Sequence, residues 1–150
     1  MSYKVYLAGE IHSEWRKDLK NKCDEIGLDI DFSSPVTNHS YSDDCGTHIL
    51  GEEESSFWKD RKGAGINGIR TKNAIAKSDL VVVRFGEKYR QWNAAFDAGY
   101  AHALGKPLII IHPEDYDHAL KEVDAAANAV ARNEKEVAEI LRYVLNGELA

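Results

Sequence analysis

The chain has no apolar stretch near the roughly 20 residues that a membrane-spanning helix requires. Its main uninterrupted apolar runs are residues 80–83 and 107–111. Its first residues, Met1-Ser2-Tyr3-Lys4, lead directly into a strand-like stretch and carry no signal-peptide pattern, so the protein reads as cytoplasmic, with no membrane partner. Cysteine is scarce. Cys23 and Cys45 lie in different kinds of segment, show no CxxC spacing, and read as reduced, unpaired thiols. Long basic runs are missing as well, and the formal charge is −6, which makes a nucleic-acid polymer a poor partner. A small nucleotide stays open, because it needs only a local cationic or backbone site.

Familiar nucleotide and catalytic signatures are also absent. Gly9 stands alone after the first strand-like segment, and neither GxGxxG nor GxxxxGK(S/T) occurs. There is no GxSxG elbow. The six histidines never fall at HExxH spacing and join no cysteine cluster, which argues against zinc. No metal and no cofactor are expected.

What is present is a folded composition, 43% hydrophobic and 29% charged. The 150 residues suit a single domain over residues 1–150, able to bury roughly 70% of its unfolded surface without a staple. Residues 4–9 read as a strand ending on Gly9. Residues 14–26 follow as a helix, with Trp15, Leu19, Cys23 and Ile26 at spacings of four, four and three, stopped by Gly27. Residues 28–32 alternate apolar and polar, as a strand with one covered face does. Residues 33–56 show no period and are expected to be irregular, a length at which loops are usually functional or disordered. Residues 57–77 read as helical mainly in their second half, because Gly63, Gly65 and Gly68 weaken the first.

The valine-rich run 80–83 is a strand buried on both faces. A polar loop leads to an alanine-rich helix over 91–104, broken by Gly105-Lys106-Pro107, and 108–111 is another buried strand. A helix over 117–126 and a short strand at 129–130 follow. The last helix starts at Asn133, with Glu136 completing a capping box. It carries Val137, Ile140, Leu141, Val144 and Leu145 on one face and stops at Gly147. Strands alternating with helices imply an α/β fold. The expectation is a flavodoxin-like three-layer sandwich, with an about five-stranded, mostly parallel sheet and helices on both faces.

In such a sheet, ligands bind beyond the carboxyl ends of the strands, where the winding reverses. That point falls between strand 4–9 and strand 80–83, within reach of the unit from Asp79 to Pro107. The strand ends deliver Gly9, Glu10 and His12 on one side and Arg84 and Glu87 on the other, and Glu10, His12, Arg84, Gln91, Asn93 and Asp97 are predicted to converge. His12 and Glu10 can form an acid–base pair, or His12 is an exposed loop residue. Trp92 and Tyr100 read as core, with Trp92 alternatively a stacking surface at the site's mouth. Asp79 reads as a turn or cap residue, His102 as a packing or surface one. Asp97 is surrounded by Ala94, Ala95, Ala98, Gly99 and Ala101. Turned into the cleft, its carboxylate suits a nucleophile for a sugar carbon; turned outward, it only gains from the helix dipole.

Several of these runs carry a family likeness. Val5-Tyr6-Leu7-Ala8-Gly9, Asn67-Gly68-Ile69-Arg70-Thr71, Ser78-Asp79-Leu80-Val81-Val82-Val83, Ala95-Phe96-Asp97-Ala98-Gly99-Tyr100-Ala101 and Gly105-Lys106-Pro107 together resemble nucleoside 2-deoxyribosyltransferases. Gly9-Glu10-Ile11-His12-Ser13-Glu14-Trp15-Arg16 and Tyr89-Arg90-Gln91-Trp92-Asn93 are closer still to the YtoQ branch of that family. The resemblance implies N-glycosyl transfer or hydrolysis on a nucleoside or nucleotide. Asp97 would be the nucleophile and Tyr6 would hold it. Gly9, Glu10, His12, Arg84, Glu87, Gln91, Trp92 and Asn93, placed by the switch point rather than by the resemblance, would contact substrate. Asn128 would touch the sugar from a neighbouring subunit, so a homo-oligomer is implied.

The chain also departs from the family pattern. The family nucleophile is a glutamate, and Asp97 is one methylene shorter, roughly 1.5 Å of reach. A displacement of about 1 Å can cost ~100-fold in rate. Gln91 and Gly65 stand where the family places base-handling aspartates, which leaves Glu10, Glu87 or Asp60 as substitutes. The alternative reading is a non-catalytic nucleoside or nucleotide binding module that kept the pocket without the chemistry.

Overall fold

A computed structural model describes residues 1–150. The valine- and isoleucine-rich runs become the interior strands of a five-stranded, wholly parallel sheet. In chain order the strands are β1 (Tyr3–Gly9), β2 (Ile30–Ser33), β3 (Leu80–Arg84), β4 (Leu108–Ile111) and β5 (Ala129–Ala131). Their spatial order is β2-β1-β3-β4-β5. The helices are α1 (Trp15–Glu25), α2 (His39–Leu50), α3 (Ser56–Lys77), α4 (Trp92–Ala103), α5 (Lys121–Ala126) and α6 (Glu134–Asn146).

Alternate strand residues feed two separate cores. Val5, Leu7, Val82, Ile109 and Ile111 meet Trp15, Leu19 and Cys23 of α1 and Val137 and Leu141 of α6. Tyr6, Ala8, Val81, Val83 and Ile110 meet Ile75 of α3 and Ala94, Ala98 and Ala101 of α4. This is the three-layer flavodoxin-like sandwich expected from the element order. Both cysteines are free thiols, Cys23 buried and Cys45 half-buried. Asp79 acts as a clamp between neighbouring strands. Its carboxylate accepts from the Lys4 N–H at 2.8 Å, and its own N–H donates to the Lys4 carbonyl at 2.7 Å.

The stretch 33–56 departs from expectation, because twelve of its residues form α2. Its few apolar residues, Tyr41, Cys45, Ile49 and Leu50, are outnumbered by polar ones and leave only a weak apolar stripe. A local cap and a tertiary contact hold it instead. The Asn38 side chain accepts from the Tyr41 N–H at 3.1 Å. Gly46 packs so closely on α3 that a Cβ there would lie 2.5 Å from the Gly63 nitrogen. That contact also explains why α3 runs unbroken through its glycine-bearing first half: Gly63 is where α2 docks.

At the start of α6 the Asn133 side chain accepts from the Glu136 N–H at 2.9 Å. The Glu136 carboxylate reaches back one residue further than a strict capping box, to the Arg132 N–H at 2.7 Å. Of the expected helix over 117–126 only α5 forms, preceded by turn residues 117–120 and a 3-10 turn, Glu114–Tyr116.

Candidate active site

The winding reverses between β1 and β3, whose carboxyl ends are paired Gly9 to Arg84. Gly9 has φ +110, and a Cβ there would sit 2.1 Å from the Arg84 carbonyl oxygen. Only glycine lets the chain turn off β1 against β3 at that point. The turn is fastened by the Glu10 N–H donating to the same carbonyl at 3.0 Å.

Two buried residues then shape the turn. Arg16, which the sequence reading did not single out for a role, lies under it. Its guanidinium donates to the carbonyls of Leu7 (3.0 Å), Glu10 (2.7 Å) and Gly9 (3.2 Å). Burial pulls its pKa down to about 10, against the opposing influence of Glu10. Glu10 is only 6% exposed. One carboxylate oxygen accepts from the N–H groups of His12 (2.6 Å) and Ser13 (3.1 Å), and the other from the Ser13 hydroxyl and the Arg84 guanidinium at 3.3 Å. Arg84 also reaches Glu134 at 2.7 Å. Glu10 and Arg84 therefore brace the β1–α1 turn to β3 and α6.

Beside this frame opens a cavity of about 720 Å³. Of the residues expected at the site, Gly9, Glu10, His12, Gln91, Trp92, Asn93 and Asp97 line it. Arg84 does not, because it is turned to its two carboxylates. Glu87 is exposed on the loop before α4 and lies off the cavity. Asn128 stands at the opposite, amino end of β5. Its side chain accepts from the Leu108 N–H at 3.0 Å, so it reaches no part of this protomer's cavity. Trp92 is not core: it is 73% exposed and stands at the cavity mouth. Tyr100 is half-buried on the wall, and His102 is exposed.

The loop between β3 and α4 is held by Gln91. Its side-chain oxygen accepts from the Gly86 N–H at 2.7 Å, and its amide donates to the Lys88 carbonyl at 2.8 Å. This staple supports Tyr89 at φ 66, the one non-glycine residue with a positive φ. The Tyr89 ring packs edge-on against His12 at 5.0 Å, and His12 lies 6.0 Å from His39. Three segments distant in sequence thus meet at one rim.

Asp97 projects from the second turn of α4 into this space. Burial raises its pKa to about 6, and no hydrogen bond or cation offsets the effect. Tyr6 lies beneath, 1% exposed, with a hydroxyl that has no hydrogen-bond partner. Its pKa is pushed up to about 12, first by burial, with the Asp97 charge adding to the rise and Thr71, Arg16 and Arg70 opposing it. The two groups are electrostatic neighbours without a hydrogen bond between them.

A second polar cluster lies at the carboxyl ends of β4 and β5. His112, Asp117 and Asp124 place possible metal-ligating atoms within 4.8 Å of one another. Arg132 already fills that cluster, donating to Asp117 at 2.6 and 3.2 Å. His112 is bonded to Asp124 at 2.9 Å.

With this geometry in view, the likenesses to known proteins are informative. The family described as nucleoside 2-deoxyribosyltransferase YtoQ matches residues 6–145. The uncharacterized protein YtoQ of Bacillus subtilis (strain 168) is 45% identical over 148 residues, covering 99% of this chain and all of that one. A conserved protein from Enterococcus faecalis V583 shares the fold with a TM-score of 0.63 at 17% identity, over 97% of this chain and 100% of that one. The 2-deoxyribosyltransferase of the psychrotolerant Bacillus psychrosaccharolyticus shares it with a TM-score of 0.55 at 19% identity, over 90% of each chain. No helix is long and apolar enough to cross a membrane.

Proposed function

We propose, because the chain belongs to the nucleoside 2-deoxyribosyltransferase YtoQ family, that it cleaves the N-glycosidic bond of a nucleoside or nucleotide through Asp97. The observation that carries this reading is a half-buried, unpartnered carboxylate lining a nucleoside-sized cavity at the switch point. The Asp97 carboxylate attacks the anomeric carbon. The bond from that carbon to the base breaks, and its electron pair leaves with the base, which takes up a proton. An incoming base or water then attacks the same carbon, the ester to Asp97 breaks, and the carboxylate is restored. Tyr6 lies below, its buried hydroxyl available to the carboxylate in either state.

Of the groups considered for the leaving-base proton, Asp60 lines the cavity, while Glu10 is engaged by four donors and Glu87 lies outside. Mass spectrometry of mixtures containing deoxynucleosides, nucleosides and their 5′-phosphates tests the reading. Free or exchanged base is expected, and none with any substrate would refute it. The pH profile adds a second check. Only ionised Asp97 can attack, so turnover should climb as pH rises through about 6 and level off above. A flat profile between pH 5 and 7 (about one unit either side) would count against Asp97.

One observation favours a binding-only alternative. Gln91 takes the place of a base-handling aspartate and is engaged as the loop staple, with both ends of its amide bonded to backbone. That reading predicts ligand-dependent stabilisation with no base released.

Self-association is part of the same proposal. Tyr41, Ile49 and Leu50 of α2 and Phe57 and Trp58 of α3 are each more than half exposed on a hairpin that buries little against its own chain. Sedimentation velocity should give more than one chain per particle, and Trp58→Glu should shift the distribution toward monomer. A monomer for the parent chain at micromolar concentration would contradict this.

A further inference from the structure

Three segments distant in sequence meet on one residue, Gly86, just past the carboxyl end of β3. Its N–H donates to the Gln91 side chain at 2.7 Å. Its carbonyl accepts from the Tyr116 hydroxyl at 3.3 Å. Its Cα lies against the buried Glu10, where a Cβ would come within 2.8 Å of the Glu10 Cγ and 3.2 Å of Cδ. Four donors pin that carboxylate, so it cannot give way. Gly86 is thus the point at which the loop before α4 is tied to the β1–α1 turn and to the 3-10 turn Glu114–Tyr116.

Tyr116 is the tie that the cavity does not account for. It lies off the cavity and is half-buried, its ring packed against the core that holds Val81, Val83 and Ile110. The turn that carries it is bracketed on its far side. Arg132, after β5, donates to Asp117 at 2.6 Å, and Asp124 of α5 is bonded to the buried His112 ring at 2.9 Å. What the tie holds is a strained loop. Tyr89 sits at φ 66, a costly conformation for a residue with a Cβ, and presents its ring edge-on to His12 at 5.0 Å. Such a conformation persists only where surrounding contacts over-determine it. The strain leaves the held form of the loop modestly favoured, so the loss of one contact shifts its population.

We propose that Tyr116 is a positioning residue for the candidate active site, acting through Gly86 to hold the loop that presents Tyr89 at the cavity rim. Its effect on turnover rests on the functional reading above; its effect on the loop rests on the geometry alone. A neutral hydrogen bond changes a local opening equilibrium by about two- to tenfold. At 3.3 Å this one is long for a hydroxyl donor, which puts it in the lower part of that range.

Tyr116→Phe tests the role in the full chain, because phenylalanine keeps the packed ring and removes only the hydroxyl. Exchange of the Gly86 amide proton, followed by NMR, should speed up about two- to fivefold. The Val81 amide, bonded to the Pro107 carbonyl at 3.0 Å, should keep its rate, and the urea midpoint should hold. With whichever deoxynucleoside or 5′-monophosphate releases base fastest, KM should rise about two- to fivefold while kcat stays within about twofold. That split is expected when a smaller share of the free protein is competent to bind. Tyr143→Phe, on the exposed side of α6, is the control and should alter none of these. An unchanged Gly86 rate would overturn the proposal, whether or not any base is released. A raised Gly86 rate with KM unchanged would overturn the positioning role. Faster exchange at Val81 in step with Gly86, or a lowered urea midpoint, would make Tyr116 a general stabiliser of the fold and overturn that role equally. A raised Gly86 rate in a protein that releases no base from any substrate would refute the functional reading and leave the hold on the loop standing.

Discussion

Replacing Asp97 with asparagine is expected to abolish base release while making the fold more stable at neutral pH. The first effect follows from chemistry. An amide is no nucleophile toward a sugar carbon, and removing the attacking group should cost about a thousandfold or more in rate. The second follows from burial. The Asp97 pKa of about 6 lies above its ordinary value of 3.8, so the folded state disfavours the charged form. Below pH 3.8 the group is protonated in both states and contributes nothing. As pH rises from there to about 6, the unfolded chain ionises first and stability is progressively lost; above 6 the whole penalty applies. Its upper bound is about 3 kcal/mol, and partial exposure reduces it to about 1–3 kcal/mol. Asparagine removes the ionisation, so Tm at pH 8 should rise by about 2–4 °C per kcal/mol regained. At pH 4 the two proteins should melt nearly together. A variant that is inactive and less stable at pH 8 would mean that Asp97 is a structural residue.

Glu10→Ala is expected to give the largest loss of stability among the cavity residues, about 3 kcal/mol or more. The carboxylate is buried and accepts from two backbone N–H groups, one hydroxyl and one guanidinium. Alanine would leave the His12 and Ser13 N–H groups unpaired and Arg84 with Glu134 alone. Glu10→Gln, which keeps one acceptor and the shape, should lose less. Urea midpoints at constant m would show the ordering parent, glutamine, alanine. A change below about 1 kcal/mol for alanine would contradict the bracing role. The two substitutions act in opposite directions on stability, which separates a residue kept for chemistry from one kept for architecture.

The sheet was legible because its interior strands are buried on both faces and so read as continuous apolar runs, 80–83 and 108–111. The site was legible in part because topology alone places the carboxyl ends of β1 and β3 together. Other features were hidden because they are tertiary facts. Helix α2 has a mainly polar sequence and exists through its docking on Gly63. Arg84 looked like a binding cation, yet Glu10 and Glu134, 74 and 50 residues away, claim it. Arg16 looked like one more polar residue on a helix, although it is buried beneath the turn and donates to three carbonyls. Trp92 read either as core or as a stacking surface at the mouth, and the structure, with α4 turning it to the rim, agrees with the second.

The most direct test of Asp97 as nucleophile is to quench the protein in acid during turnover of a 2′-deoxynucleoside or its 5′-monophosphate, digest it, and map the peptides by mass. The account predicts a peptide spanning Asp97 that is heavier by one deoxyribosyl group, with its 5′-phosphate for the nucleotide, and no such species from Asp97→Asn. Base release at an undiminished rate by Asp97→Asn, or a glycosyl group attached to any other residue, would contradict it.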